Sequence, residues 1–231
     1  MKKILLALLA LFAVFNISAT SSWNDPEPNS MKVDFDAIKK YINDNGEQYQ
    51  ALFERFVSAD TTLTLEEVAI VYYGNRIRPL TYPGGDPEAA KCNVRKLNNE
   101  GKFLEALDAS DAKNLVTPTE LRTQWDATVA AYSIKDNWRL MPFFIRYRQL
   151  ANVILASGDG KTPATAFKVV NVDDEYVLLS NTLEATKIVN QTLIYNNDVP
   201  FDKISIIRGD QEVDIFFNVA RWFEFLKGAL K

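Results

Sequence analysis

The sequence predicts an α+β fold: repeat-like helices come first and a small C-terminal antiparallel sheet comes last. Three observations carry this expectation. Apolar residues recur at spacings of three and four from about Val33 to Gly158, the spacing drops to two beyond Gly160, and glycines, prolines and capping residues fall at the joints between the runs.

Ahead of the fold, Lys2 and Lys3 precede an uncharged apolar run from Ile4 to Phe15 and a small polar stretch from Asn16 to Ser22. This is the layout of a secretory signal peptide over residues 1–20, cleaved near residues 19–21. The run falls short of the roughly 20 apolar residues that cross a bilayer, so no permanent membrane anchor is expected. A lipoprotein needs a cysteine directly after its cleavage site, and the one cysteine is Cys92. The expected destination is therefore the periplasm or the cell exterior. Residues 21–32, with Pro26 and Pro28, read as a flexible lead-in. Residues 33–231 read as a single domain, helical over 33–158 and mainly strands over 159–231.

Within that domain Asp34 suits an N-cap, and Phe35, Ile38 and Ile42, then Tyr49, Leu52, Phe53 and Phe56, mark one face of helices interrupted near Gly46. Thr64-Leu65-Glu66-Glu67 spells a capping box for a helix running to Tyr73 and stopping at Gly74. Ile77 to Gly85 reads as a loop, and Asp86-Pro87 restarts a helix containing Cys92, expected to be a buried structural thiol. Gly101, Phe103, Ala106 and Pro118 reproduce part of a tetratricopeptide repeat, with Ser110 and Lys113 departing from it, so a tetratricopeptide-like hairpin is expected rather than an array. Thr117 to Glu120 reads as a second capping box before Leu121, Trp125, Val129 and Tyr132, and a further helix is expected from about Met141 to Ala156. The short β-rich runs are Phe167–Val172, Tyr176–Ser180, Ile188–Tyr195, Ile204–Ile207 and Val213–Val219, with Gly209-Asp210 as a type II′ turn. An amphipathic helix from Phe223 to Leu230 closes the chain.

Composition narrows the chemistry. The chain holds no histidine and one cysteine, which excludes Ser-His-Asp and Cys-His catalysis and His-ligated zinc; no cofactor or metal is expected, with a calcium site built from oxygen ligands left open. Any catalysis must use carboxylates, Tyr, Lys or Ser. The net charge is −4, with bases and acids interleaved, so nucleic acid is not an expected partner; Arg139, Arg146 and Arg148 form a local basic cluster, expected to solvate a helix face.

Ser157-Gly158-Asp159-Gly160-Lys161-Thr162 suggests a phosphate loop, but Leu155 stands where the motif needs its first glycine and a helix precedes it rather than a strand. It reads instead as a glycine-supported crossover from helix to strand, with Asp159 its chemically interesting residue. Asp173-Asp174-Glu175 reads as an acidic β-turn between strands, and Glu175 or Asp159 could serve acid–base chemistry. Tyr72-Tyr73-Gly74 at a helix end could line a groove, although aromatics at helical spacing are usually core, and Arg208-Gly209-Asp210 spells an adhesion tripeptide at a hairpin tip, although turn chemistry alone explains Gly-Asp.

The ordered set Asp60-Thr61-Thr62-Leu63-Thr64, Tyr72-Tyr73-Gly74, Ser157-Gly158-Asp159-Gly160 with Ala166-Phe167, Glu175-Tyr176, and Phe216-Phe217-Asn218-Val219 resembles a family of exported proteins from Gram-negative, Bacteroides-type bacteria, domain-of-unknown-function family four-nine-one-nine. The resemblance implies one exported domain with helices first and strands last, and brings no activity, substrate or catalytic residue. The leading functional expectation is a noncatalytic envelope module binding a protein or peptide. The alternatives are a carboxylate-dependent glycan or peptidoglycan hydrolase using Asp159 or Glu175, and a host-facing adhesin using Arg208 to Asp210. Candidate binding or motif residues are Tyr72, Tyr73, Gly74, Arg146, Ser157, Gly158, Asp159, Gly160, Glu175 and Tyr176.

Overall fold

The computed structural model describes residues 26–229, so the predicted signal peptide lies outside the described residues. Asp34 opens the helical part: its carboxylate accepts from Asp36 N (3.1 Å) and Ala37 N (3.0 Å), two of the orphan donors of helix α1, Phe35–Asp44. The chain breaks at Asn45 and continues as α2, Gly46–Val57. Helix α3, Leu65–Ile77, starts at the expected capping box, with Glu67 N on Thr64 Oγ1 (3.2 Å) and Thr64 N on Glu67 Oε2 (2.8 Å). It does not stop at Gly74. That glycine sits inside the helix, where an added Cβ would stand 3.1 Å from the Tyr49 ring and 3.2 Å from Ile42 Cγ2, so its missing side chain lets α3 press against α1 and α2.

A 3₁₀ turn at Pro87–Lys91, capped by Asp86, precedes α4, Val94–Asn99, and α5, Phe103–Asn114. Gly101 makes the turn between the last two at φ +74°, in the left-handed region that favours glycine. The two helices are unequal, six and twelve residues. Cys92 falls outside any α-helix and is half-buried, contrary to the expected buried helical thiol. Helix α6, Leu121–Ser133, follows Glu120, whose side chain makes no cap bond and instead accepts from Thr123 Oγ1 (2.9 Å), so the second capping box does not form. Helix α7, Asn137–Ala156, starts earlier than expected because Asp136 caps it, accepting from Arg139 N (3.1 Å); Pro142 lies inside.

After α7 the chain doubles back through Ser157 to Gly160, a second 3₁₀ turn at Pro163–Thr165, and strand β1, Phe167–Lys168. The next element overturns the expected strand at Tyr176–Ser180: residues Val172–Asn181 form helix α8. Then come β2 (Lys187–Asn196), β3 (Val199–Arg208), β4 (Gln211–Asn218) and helix α9 (Ala220–Ala229). The sheet order is β1-β4-β3-β2. The last three strands form the expected antiparallel meander, but β1 pairs parallel to β4, Phe167 opposite Phe217, so the sheet is mixed. Positive φ at both Asn197 and Asp198 suits a type I′ turn, and Gly209 at φ +60° suits the expected type II′ turn.

One apolar core runs through both halves, joining Phe53 and Phe56 of α2, Tyr72 and Tyr73 of α3, Leu150 and Ile154 of α7, Val177 and Leu178 of α8, and Ile204, Ile206 and Phe217 of the sheet. A satellite cluster lies among α4 to α7, where Ala106, Ala127, Ala130 and Ala131 are fully buried and their small side chains leave room for close helix approach.

The crossover from α7 to β1 is the tightest joint. Asp159 N and Gly160 N both donate to Thr165 O, at 2.9 and 2.8 Å. A Cβ on Gly158 would lie 2.4 Å from Thr165 O and 2.6 Å from Ala166 O, both backbone atoms that a rotamer change cannot move. Gly158→Ala is expected to destabilise the fold by several times the ~1–2 kcal/mol that a left-handed alanine costs in Gly101→Ala, whose site is otherwise open. Urea unfolding of the two variants checks this, and equal midpoints would refute the steric account.

Candidate functional site

The acidic triplet Asp173-Asp174-Glu175 is the first turn of α8. Asn171 caps the helix, its side chain accepting from Asp173 N (3.3 Å), and three carboxyl groups at a helix N-terminus meet the positive end of its dipole. The expected acidic β-turn is therefore replaced by a helix start, and the three side chains separate. Asp173 faces outward and takes a bidentate pair from Arg122, 2.8 Å on each oxygen. Asp174 points inward and accepts from Tyr72 Oη at 2.7 Å, while Tyr72 Oη itself accepts from Val170 N at 3.2 Å. Glu175 points inward toward Asp202 of β3.

Burial pushes Asp174 up to about 7, although the Tyr72 hydroxyl opposes the shift. Glu175 is raised further, to about 10, first by burial and then by the Asp202 charge and a hydrogen bond with it. Neither Glu175 oxygen has a partner that could donate to it, so the residue is satisfied by carrying its own proton and directing it at Asp202. Gln191 Nε2 donates to Asp202 at 2.8 Å, and Tyr176 Oη bonds to Gln191 Oε1, extending the network to the surface. Glu175 itself is 0% exposed, which shuts a substrate out of contact with it.

The other predicted residues divide into structural groups. Tyr72 and Tyr73 do not line a groove; they are fully buried and stack edge to face at 4.8 Å. Burial raises both phenols above their usual range. Tyr73 Oη donates to Lys168 O (3.0 Å), and Lys168 returns bonds to Ser157, its N to Ser157 Oγ (2.9 Å) and its Nζ to Ser157 O (3.0 Å). Gly160, at φ +68°, lies against the Phe167 ring. Asp159 accepts from Lys161 N (3.0 Å), and a hydrogen bond from Thr165 holds its carboxyl below the usual range. Asp159 and Glu175 have no partner in common. Arg208-Gly209-Asp210 sits at the exposed β3–β4 turn.

Arg146 does not solvate a helix face as expected; it is drawn into the protein at a different place, where Gln124 and the Val57 carbonyl hold it. A cleft of about 540 Å³ opens between the end of α2 (Val57, Ser58), Tyr82, the last turn of α5 (Asp111 to Leu115) and the first half of α7 (Trp138 to Arg146). Arg146 lies at its base, 4% exposed, its Nε on Gln124 Oε1 and its Nη1 on Val57 O, both at 2.9 Å. Its guanidinium lies over the Phe143 ring at 4.7 Å, and Nη2 makes no hydrogen bond among the described residues. Burial pulls it down to about 10, against the opposing Asp111 charge. Gln124 is held in turn, donating to Asn114 Oδ1 (2.9 Å) and Pro118 O (2.7 Å).

Above this base Arg139 gathers Asp108, Asp111 and Asp136 within 2.6 to 3.1 Å, and Trp138 is 88% exposed. Sequence reasoning singled out Arg139 and Arg146 as part of a basic cluster but missed Asp111, Trp138 and Phe143. The available signal was a tryptophan beside charged residues at a helix start. Pro142 adds a local feature, since it cannot donate to the carbonyl of Trp138.

Among the described residues, no group of three His, Cys, Asp or Glu side chains is placed to hold a metal, and no helix is long and apolar enough to cross a membrane. The family model for a domain of unknown function, DUF4919, matches residues 36–227. No curated protein and no solved structure matches the chain.

The raised acids fix the sign of a pH response. Unfolded, these carboxyls titrate near 4; folded, Asp174 keeps its proton to about 7 and Glu175 to about 10. Above pH ~4 the folded state thus binds more protons than the unfolded one, and stability falls as pH rises through this window. Asp60, held down to about 2, first by its Thr62 hydrogen bond, acts in the opposite sense below pH ~4. Glu175→Gln, which keeps a donor toward Asp202 but needs no proton, should raise Tm at pH 8 by at least a few degrees, since ~1 kcal/mol moves a domain of this size by about 2–4 °C. At pH 4.5 it should change Tm little. A Tm gain that is the same at both pH values would contradict the proton-holding account.

Proposed function

The chain belongs to the DUF4919 family, whose description carries no activity, and from its own geometry we propose that it is a noncatalytic module binding a peptide segment in the Arg146 cleft. The observation that carries this reading is the pairing of a buried, incompletely bonded guanidinium with an exposed tryptophan at one apolar cleft. A volume near 540 Å³ lies within the range of ligand sites, which are mostly apolar with a few placed polar groups. Free Nη2 suits a carboxylate on the ligand, from a side chain or the chain terminus, because arginine presents donors in the plane that a carboxylate accepts. Trp138 offers a flat surface to an apolar or aromatic side chain, the residue type that most often dominates an interface.

The enclosure of Glu175 favours binding over hydrolysis, because a general acid must reach the bond it protonates. On the reading of residues 1–20 as a signal peptide, the module works outside the cytoplasm, in the cell envelope or beyond it.

Peptides selected from a random displayed library on the purified protein test the reading. Selection should enrich sequences with a carboxylate near a bulky apolar residue. Trp138→Ala should weaken the selected peptides by roughly tenfold or more, the size of an interface hot spot, with Tm unchanged because the side chain is exposed. Arg146→Lys should weaken carboxylate-bearing peptides more than their amidated or Asn/Gln counterparts. Enrichment of nothing, or peptides that bind Trp138→Ala as well as the parent, would count against the cleft.

A further inference from the structure

The sheet ends on β2. Among the described residues no strand lies on its outer side, so one row of N–H and C=O groups along ten residues has no sheet partner. Folded proteins usually guard such an edge with lysine, proline or an inward-pointing charge. From Ile188 to Asn197 this strand and its turn contain none of these, and the one irregularity is the register shift between Ile188 and Asn190.

The cross-strand register shows where the exposed apolar side chains point. Ile188, Gln191, Leu193 and Tyr195 stand opposite Ile206, Ile204, Asp202 and Pro200, and opposite residues of a pair share a face. Ile204 and Ile206 are fully buried in the core. These β2 side chains therefore extend the core face of the sheet, yet Ile188 is 41%, Leu193 42% and Tyr195 63% exposed. Strand β2 projects past the helical layer, leaving both a free backbone edge and an uncovered apolar strip.

We propose that β2 is a self-association edge, where two copies pair their β2 strands antiparallel about a two-fold axis and join two four-stranded sheets into one of eight. A strand-like occupant is required because the free groups are backbone donors and acceptors in a row. A second copy fits by charge. Lys187 begins the strand and Asp198 lies in the turn that ends it, so antiparallel pairing sets opposite charges together at both ends. Parallel pairing would set like charges together. Between the ends only uncharged side chains meet, and Tyr195 of one copy comes beside the Ile188 end of the other, covering the strip on the same side of the joined sheet.

Sedimentation of the purified chain over a wide concentration range, with Leu193→Lys and Tyr195→Lys as variants, tests the pairing. The parent mass should rise toward twice the monomer, and each lysine variant should associate roughly tenfold or more weakly, since a charge on an edge blocks strand addition. Both sites are exposed, so Tm of each variant should match the parent. Hydrogen exchange should slow at every second β2 amide as concentration rises, in the parent and not in the variants. A parent that stays monomeric throughout, a dimer that survives both lysines, or an edge that takes an extended peptide while the chain remains monomeric would each overturn the proposal.

Discussion

The hydrogen bond between Tyr72 Oη and Asp174 Oδ2 joins residues 102 apart in sequence, and it fixes how the helical half of the chain meets the sheet half. Both side chains are buried, so neither can fall back on water, and losing one partner leaves the other with a desolvation cost of ~1–3 kcal/mol. Tyr72 Oη also accepts from Val170 N, in the link between β1 and α8. One hydroxyl thus reads the position of a helix and of the segment that enters it. Tyr73 repeats the device one residue on, its hydroxyl reaching the Lys168 carbonyl of β1. Adjacent residues on one helix thereby set both β1 and the start of α8, and the sheet follows because β1 pairs with β4.

That junction explains how α8 tolerates three acids in a row at its start. Near a helix N-terminus they are favourable in sequence terms, but only one can stay in water. Asp173 remains there and is paired; burial raises Asp174 even though its tyrosine bond favours the ionised form; burial and the Asp202 charge raise Glu175 further. Three neighbours of one chemical type have three different surroundings because their burial differs. The arrangement resembles a catalytic dyad in composition, yet the enclosure that raises Glu175 also denies it a substrate.

Much of the fold was legible in the sequence wherever local chemistry decides the outcome. Asp34, the Thr64 capping box, the turn at Gly101 and the hairpin turn at Gly209 act within a few residues, and each stands where local rules place it. The error at Tyr176 to Ser180 has a clear origin. A short apolar run such as Tyr-Val-Leu-Leu fits a buried strand and a buried helix equally, and the cap at Asn171 was the signal that separates them. Gly74 misled for the opposite reason: its absent side chain serves contacts with Ile42 and Tyr49 rather than a helix end. Among site residues, Arg146 could be singled out, but its surroundings come from α2, α5, α6 and α7 together, and no spacing along the chain reports that convergence.

Arg146 is also where the fold departs most from what stability alone would favour. A buried guanidinium loses hydration, and apolar side chains of similar volume often replace buried charges with no loss of stability. Here its fixed partners are neutral, the Gln124 amide oxygen and the Val57 carbonyl, with the Phe143 ring beneath. Asp111, the carboxylate in the same cleft, is bonded to Arg139 instead. The Val57 carbonyl closes α2, so one function of Arg146 is to hold the negative end of that helix against α6 and α7. That work occupies two nitrogens and leaves Nη2 without a hydrogen bond in a residue that lines a largely apolar cleft. A structural tie needs no free donor, whereas a ligand anchor does. The proposed binding reading accounts for the unused nitrogen and the exposed tryptophan with one ligand.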